Sequence, residues 1–229
     1  MGTDMPGLFI TFEGGEGSGK TTQLKTLLAH LRSTSRDAIE TRDPGGTPIG
    51  KQIRELLLDR ENTRMAPVAE LFLYEASRAQ LISEVIRPAL ARGRIVLCDR
   101  FTDSTMAYQG YGRGLDRDLI TRLNGIATEG LRPDLTFLLD LDPAIGLARA
   151  MQRMAQRNER HDRIEDEMFG FHQRVRAGYH TIAAADGKRV IVLDASRGMG
   201  EIAGGIRCRV EELLRPAAPP PEVGTPPLG

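Results

Sequence analysis

The sequence predicts an α/β protein with a five-stranded parallel sheet and helices on both faces. Two observations carry that prediction. Five short apolar runs alternate with segments whose apolar residues recur at helical spacing. Between the first run and the first helical segment lies Gly14-Gly15-Glu16-Gly17-Ser18-Gly19-Lys20-Thr21, an ungapped match to the template G-x-x-x-x-G-K-[ST]. Glycines let such a loop turn tightly and aim successive N–H groups at phosphate oxygens. Lys20 adds a charge, Thr21 a hydroxyl for Mg²⁺, and the following helix its positive end.

Each element has its own signal. Leu8–Phe12 is apolar and rich in strand formers, and it runs straight into the loop. Leu24, Leu27, Leu28 and Leu31 define the helix from Thr22. Ala38–Arg42 is a short second strand, ended by Asp43-Pro44-Gly45-Gly46-Thr47, whose turn residues exclude helix or inner strand. A helix follows from about Ile49 to Leu58. A long helical pattern spans Ala66–Ala91, with Pro88 near its end. Arg94–Cys98 is the third strand and closes in Asp99-Arg100. Short helices are expected near Ser104–Gln109 and Arg117–Thr128, and Leu135–Leu141 is the fourth strand. Pro143–Arg157 and Glu165–Ala185 read as helices, Arg189–Leu193 as the fifth strand, and Gly200–Leu214 as the last helix.

The 229 residues suit one domain over 1–215. From Pro216 onward there are six prolines in the last fourteen residues, so 216–229 is expected to be a disordered tail. Lys+Arg and Asp+Glu both number 31, which argues against a nucleic-acid partner or a membrane-surface role resting on a basic field. Cys98 and Cys208 form no metal or redox motif. The first residues lack a signal-peptide layout and no apolar run approaches membrane length, so a cytoplasmic protein is expected.

Ligands of such sheets bind beyond the C-terminal strand ends, so the loops after Phe12, Arg42, Leu97, Leu141 and Leu193 share one crevice. Asp99 stands where a second carboxylate for Mg²⁺ belongs, and Arg100 beside it suits a bidentate grip on phosphate. Glu16 inside an anion-binding loop is a misfit unless it faces a sugar hydroxyl or a metal-bound water, which points to a second substrate. Phe72 and Arg78 on one helix suggest a base stacked on one and hydrogen-bonded by the other. Arg149, Arg153, Arg157 and Arg160 form a stripe with no acid between Ala144 and Asn158, an anion clamp. A guanine-reading Asn-Lys-x-Asp motif of the GTPase-switch kind is absent.

Taken together, Phe12–Thr22, Thr41–Thr47, Ala76–Gln80, Asp99-Arg100 with Ser104-Thr105 and Ala107–Gly110, and Asp162–Glu165 resemble bacterial thymidylate kinases over roughly residues 7–214. The resemblance implies a P-loop kinase fold with a mobile Arg-rich lid at about 149–163. It implies phosphoryl transfer from ATP to dTMP with Mg²⁺, and a homodimer. It implies that Gly14, Gly15, Glu16, Gly17, Ser18, Gly19, Lys20, Thr21, Thr22 and Arg149 hold ATP, with Thr21 and Asp99 near the metal. Glu16, Arg42, Asp43, Phe72, Arg78, Arg100, Ser104, Thr105, Tyr108 and Gln109 hold dTMP, Phe72 stacking on thymine and Tyr108 crowding the sugar 2′ position. Lys20, Arg100 and one of Arg153, Arg157 and Arg160 are catalytic. Asp43 departs from the commoner Glu.

Overall fold

The computed structural model describes residues 7–157 and 162–215. The expectations for Arg160 and for the tail from Pro216 lie outside the described residues.

Five strands form one parallel sheet in the order β2-β3-β1-β4-β5: β1 (Leu8–Glu13), β2 (Ala38–Arg42), β3 (Ile95–Asp99), β4 (Leu135–Asp140) and β5 (Val190–Asp194). Register is continuous, with Phe12 opposite Asp99 on one side and Phe137 on the other. The central strands β1 and β4 are mostly apolar and buried along nearly their whole length because both of their faces are covered. On one face Ile10, Phe12, Leu97 and Phe137 pack against Leu24, Leu27 and Leu31 of α1 (Lys20–Ser33) and Ile206 and Val210 of α9 (Met199–Leu213). On the other, Phe9, Val96 and Cys98 meet Leu81 of α3 (Pro67–Leu81) and Ile82 and Ile86 beyond it.

The chain leaves β1 toward β2 and leaves the adjacent β4 toward β5. The two connections diverge, which opens a crevice at the C-terminal strand ends. The Asp43–Thr47 turn feeds α2 (Pro48–Leu58): Thr47 accepts the Gly50 N–H at 2.9 Å as N-cap, and Pro48 takes the first helical position, where no N–H is needed.

Two expected helices are interrupted. The Ala66–Ala91 pattern is α3, then a π-helical turn over Ile82–Ile86, then α4 (Arg87–Leu90). Pro88 lacks an N–H and its ring crowds the carbonyl four residues back, so the helix widens there rather than running regularly. The Ser104–Gln109 helix is a single turn, α5 (Thr102–Thr105), followed by a π-helical stretch Met106–Gly112. Then come α6 (Arg117–Thr128) and α7 (Pro143–Arg157). The helix expected from Glu165 starts later, as α8 (Phe169–Ala185). Asp162 Oδ1 accepts the N–H groups of Ile164 and Glu165, both at 2.9 Å, and folds that segment into a turn.

Candidate active site

The phosphate loop follows β1. Gly14 (φ 136°) and Gly17 (φ 65°) adopt backbone that side-chain-bearing residues rarely take. Space is as restrictive as conformation: a Cβ on Gly17 would sit 2.0 Å from the Gly146 carbonyl oxygen on α7, and one on Gly14 would sit 2.4 Å from that of Leu139. The loop therefore lies backbone-to-backbone against the start of α7. The first turn of α1 has no side-chain cap, which leaves its N–H groups to an anion. Lys20 is 7% exposed, and its Nζ donates to the carbonyls of Gly14 (3.0 Å) and Gly15 (2.7 Å). Burial, with Arg100 next, pulls its ammonium down to about 8.

Thr21 Oγ1 donates to Asp99 Oδ2 at 2.6 Å across the mouth of the loop. Among the described residues no cluster of three or more His, Cys, Asp or Glu could cage a metal ion. One hydroxyl and one carboxylate facing the phosphate groove are nonetheless the sparse oxygen set that suits Mg²⁺, which keeps water and takes its other ligands from substrate phosphates.

Arg100 sits just past β3 with φ 71°, unusual for a residue with a side chain. Its N–H bonds Phe12 O at 3.0 Å, and Glu13, fully buried, accepts the next N–H, from Phe101, at 2.7 Å. Glu13 Oε2 also accepts from Ser104 (2.6 Å) and Tyr179 (2.8 Å). Burial, then Asp103, drives Glu13 up to about 7 against the pull of Ser104, Arg100 and Tyr179. Arg100 donates to Glu16 Oε1 at 2.6 Å and lies 4.9 Å from the Tyr108 ring centre; Tyr108 donates to the same Glu16 oxygen at 2.9 Å. Burial raises Glu16, but Arg100, Lys20 and Tyr108 outweigh it and hold the carboxylate at about 2. So the acid inside the anion-binding loop is neutralised by an arginine from the neighbouring strand.

Deeper in, Arg78 is 1% exposed and forms a hub. Its Nε donates to Asp43 (2.6 Å), Nη1 to Glu75 (3.0 Å) and Asn124 (2.6 Å), and Nη2 to Thr105 (2.7 Å) and Phe101 O (3.4 Å). These account for all five guanidinium N–H groups. Ser104, Thr105, Tyr108, Gln109 and Arg78 line one pocket, as expected, together with Tyr74, Arg54 and Ile164. Arg42 and Arg54 line the adjoining phosphate groove with Ser18, Thr22, Asp99, Arg149 and Arg153.

Several expectations need correction. Asp43 is 2% exposed and bound to Arg78, and burial raises its carboxyl. It braces the hub through Arg78 and lines both the pocket and the phosphate groove. Phe72 is 53% exposed and does not line the pocket. Six residues from Arg78, it lies about 240° around the helix at 100° per residue. Tyr74, at the i,i+4 position, shares Arg78's face and takes the pocket place. That spacing was legible in the sequence. The arginine stripe is not wholly unpaired: Arg153 lies 3.5 Å from Glu165, supplied from beyond the lid. Arg149 donates to Ala195 O at 3.1 Å. The side chain of Arg157 lies outside the described ones. Arg54, Glu13 and Tyr179 carry no local motif and were missed.

A phosphate-binding loop facing a second pocket across a neutralising arginine defines a phosphate-loop enzyme that transfers phosphoryl groups between nucleotides. The comparisons with known proteins agree. A family model described as thymidylate kinase matches residues 12–206. The chain is 52% identical over 209 residues to the thymidylate kinase of Solidesulfovibrio magneticus, covering 90% of this chain and 100% of that one. It is 54% identical over 194 residues to that of Geobacter sulfurreducens, covering 84% and 91%. The crystal structure of thymidylate kinase from Ehrlichia chaffeensis superimposes with a TM-score of 0.71 at 33% identity, covering 90% of this chain and 99% of that one. The chain belongs to the thymidylate kinase family. Among the described residues no helix is long and apolar enough to cross a membrane.

Proposed function

We propose that the groove and the pocket divide the family reaction between them. The chain phosphorylates dTMP to dTDP at the expense of ATP. The loop amides of Gly14–Thr22 and Lys20 hold the ATP phosphates, with Arg149 at the groove's edge. Thr21 and Asp99 hold Mg²⁺, which when bound supplies charge neutralisation and a template for the phosphates. Glu16 takes the dTMP sugar, and Tyr108 crowds its 2′ position. Arg42, Arg54 and Arg100 take the acceptor phosphate. Tyr74 stacks on the base above Thr105 and Gln109.

The observation that carries this reading is the Arg100–Glu16–Tyr108 contact, since one arginine touches both the loop and the pocket wall. Two anions repel, so in-line transfer needs them neutralised and held. Lys20 leaves its loop carbonyls for a phosphate, and Arg100 spans both. Arg153, Arg157 and Arg160 enter as the lid closes and exclude water. The homodimer that accompanies the family resemblance pairs through α3 and α6, which expose Val68 and Phe72 (α3) and Ile126 (α6); light-scattering mass tests this.

The deciding experiment follows ADP formation from ATP and Mg²⁺ with dTMP, dUMP, dCMP, dGMP, thymidine and no acceptor. Turnover led by dTMP, with dUMP weaker, is expected. Turnover independent of acceptor overturns the two-site reading.

A further inference from the structure

α7 contains one glycine, Gly146, among four alanines. Glycine in a helix interior loses more conformational freedom on folding than alanine does, so it needs a reason there. The reason is contact. A Cβ on Gly146 would sit 2.2 Å from the Glu16 carbonyl oxygen, and one on Gly17 would sit 2.0 Å from the Gly146 carbonyl oxygen. Each absent side chain makes room for the other segment's backbone. The first turn of α7 therefore rests, backbone on backbone, on Glu16 and Gly17 of the phosphate loop.

That seat serves Arg149 and Arg153, which line the phosphate groove. They follow Gly146 by three and seven residues, so seat and arginines share one face of the helix, about 4.5 and 10 Å apart along its axis. Of the two partners in the contact the loop is the more firmly held. Gly14 O accepts from Lys20 and Arg100, both at 3.0 Å, and Gly15 O from Lys20 (2.7 Å) and Ser18 (2.9 Å). The Glu16 carboxylate accepts from Arg100 and Tyr108. Beyond its capped start at Asp142, α7 is held by buried Ala150 and Met154, by Arg149 to Ala195 O at 3.1 Å and by the Arg153–Glu165 pair. A side chain forced in at position 146 therefore moves α7 rather than the loop.

We propose that Gly146 is a positioning residue for phosphoryl transfer: its missing side chain seats α7 on the backbone of the phosphate loop, and that seat sets how far Arg149 and Arg153 reach over the ATP phosphates. The proposal rests on the reading of the groove as the ATP site, and its test is separable from it, because wild-type transfer from ATP to dTMP decides that reading first.

The test compares wild type, Gly146→Ala, Gly205→Ala, and Gly146→Ala in an Arg149→Ala/Arg153→Ala background. Gly205 stands in α9, where a Cβ would meet no described atom within 4 Å. Gly205→Ala is expected to show the ordinary helix effect, a melting temperature raised by about 2–4 °C, with unchanged kinetics. Gly146→Ala should lack that gain. Ordinary contact begins at 3.4 Å, so α7 must lift by about 1 Å, a misplacement expected to cost about 10²-fold in kcat. KM for ATP should rise about tenfold, the scale of one lost hydrogen bond to a charged group. KM for dTMP should stay within about two-fold, because none of the described residues of α7 lines the dTMP pocket. In the doubly substituted background Gly146→Ala should change kcat less than about two-fold, the signature of action through the two arginines. A merely structural Gly146 would move the melting temperature alone. A Gly146→Ala enzyme that is fully active overturns the proposal. So does an equal rise in KM for ATP and dTMP, which would mean that the loop had moved, or the full kcat loss in the doubly substituted background. Should Gly146→Ala not fold, hydrogen exchange in the Arg149→Ala/Arg153→Ala protein decides, with Mg²⁺ and inorganic tripolyphosphate as the probe. Slowed exchange at both 14–19 and 144–150 is expected because the two backbones touch, and slowing of the loop alone overturns the proposal.

Discussion

The two ends of the crevice are built on opposite principles. At the phosphate end the machinery is contiguous in sequence, made largely of backbone, and held by contacts a substrate replaces. Lys20 rests on the carbonyls of its own loop, and Thr21 on Asp99. At the base end the machinery is gathered from β2's turn, α3, α5, the π-helical stretch and α6, and its hydrogen bonds are made by the protein itself. Arg78 alone ties Asp43, Glu75, Asn124 and Thr105. Charge at the first end is spent on chemistry, whereas at the second it sets shape. Substitution should therefore separate turnover from stability.

The largest effects should show that split. Lys20→Ala is expected to lower kcat by about 10²–10³-fold or more, the scale of removing one preorganised electrostatic contact, with the melting temperature nearly unchanged. Near-normal turnover would sink the role given to Lys20. Arg78→Ala should behave in the reverse way. Removing the cation leaves Asp43 and Glu75 buried without compensation, which costs about 3–5 kcal/mol of stability. Denaturant melts check this, and a variant that keeps its stability while losing only dTMP affinity would erase the contrast.

The next prediction sharpens the base end. Tyr74→Ala is expected to raise the KM for dTMP by about tenfold, consistent with the roughly 1–3 kcal/mol of an aromatic–base stack. Phe72→Ala, on the exposed side of the same helix, should leave that KM within about two-fold. Equal effects would mean that the pocket is lined differently from what the helix face dictates. Tyr108→Ala should narrow the preference for dTMP over its ribose counterpart, measured as a ratio of kcat/KM, because the ring would no longer fill the space beside Glu16.

How much of this the sequence disclosed follows the same divide. The loop, Asp99 and Arg100 are legible because strand, loop and helix put them in fixed order within a few residues. All five strands were legible for a related reason: buried parallel strands are short apolar runs bounded by turns. The base end was less so. Choosing Phe72 over Tyr74 ignored helical phase, an error of reading. Arg54, Glu13 and Tyr179 were beyond reading, since each acquires its role only from partners brought by the fold: Tyr179 reaches Glu13 across 166 residues. Asp43 was legible as a site residue but not as a brace, because nothing local shows that Arg78 lies 2.6 Å away.

Glu13 belongs to neither end and joins them, sitting one residue before the loop while holding the backbone after Arg100. Its effect should be the most dependent on pH. Burial and Asp103 move its carboxyl from 4.5 to about 7 in the folded chain. Between those values the folded state binds more protons at this site than the unfolded state, so stability falls as pH rises through the window, by at most about 1.4 kcal/mol per pH unit. The contribution is complete below 4.5 and gone above 7. Glu13→Gln cannot ionise, so it removes this slope while other buried carboxyls keep theirs. The melting temperature of the variant relative to wild type should accordingly climb from pH 4.5 to pH 7 and then level off. A constant offset across that range would mean that Glu13 is ionised throughout, held so by Ser104, Tyr179 and the Phe101 amide, and that the bracket around Arg100 is a charged one.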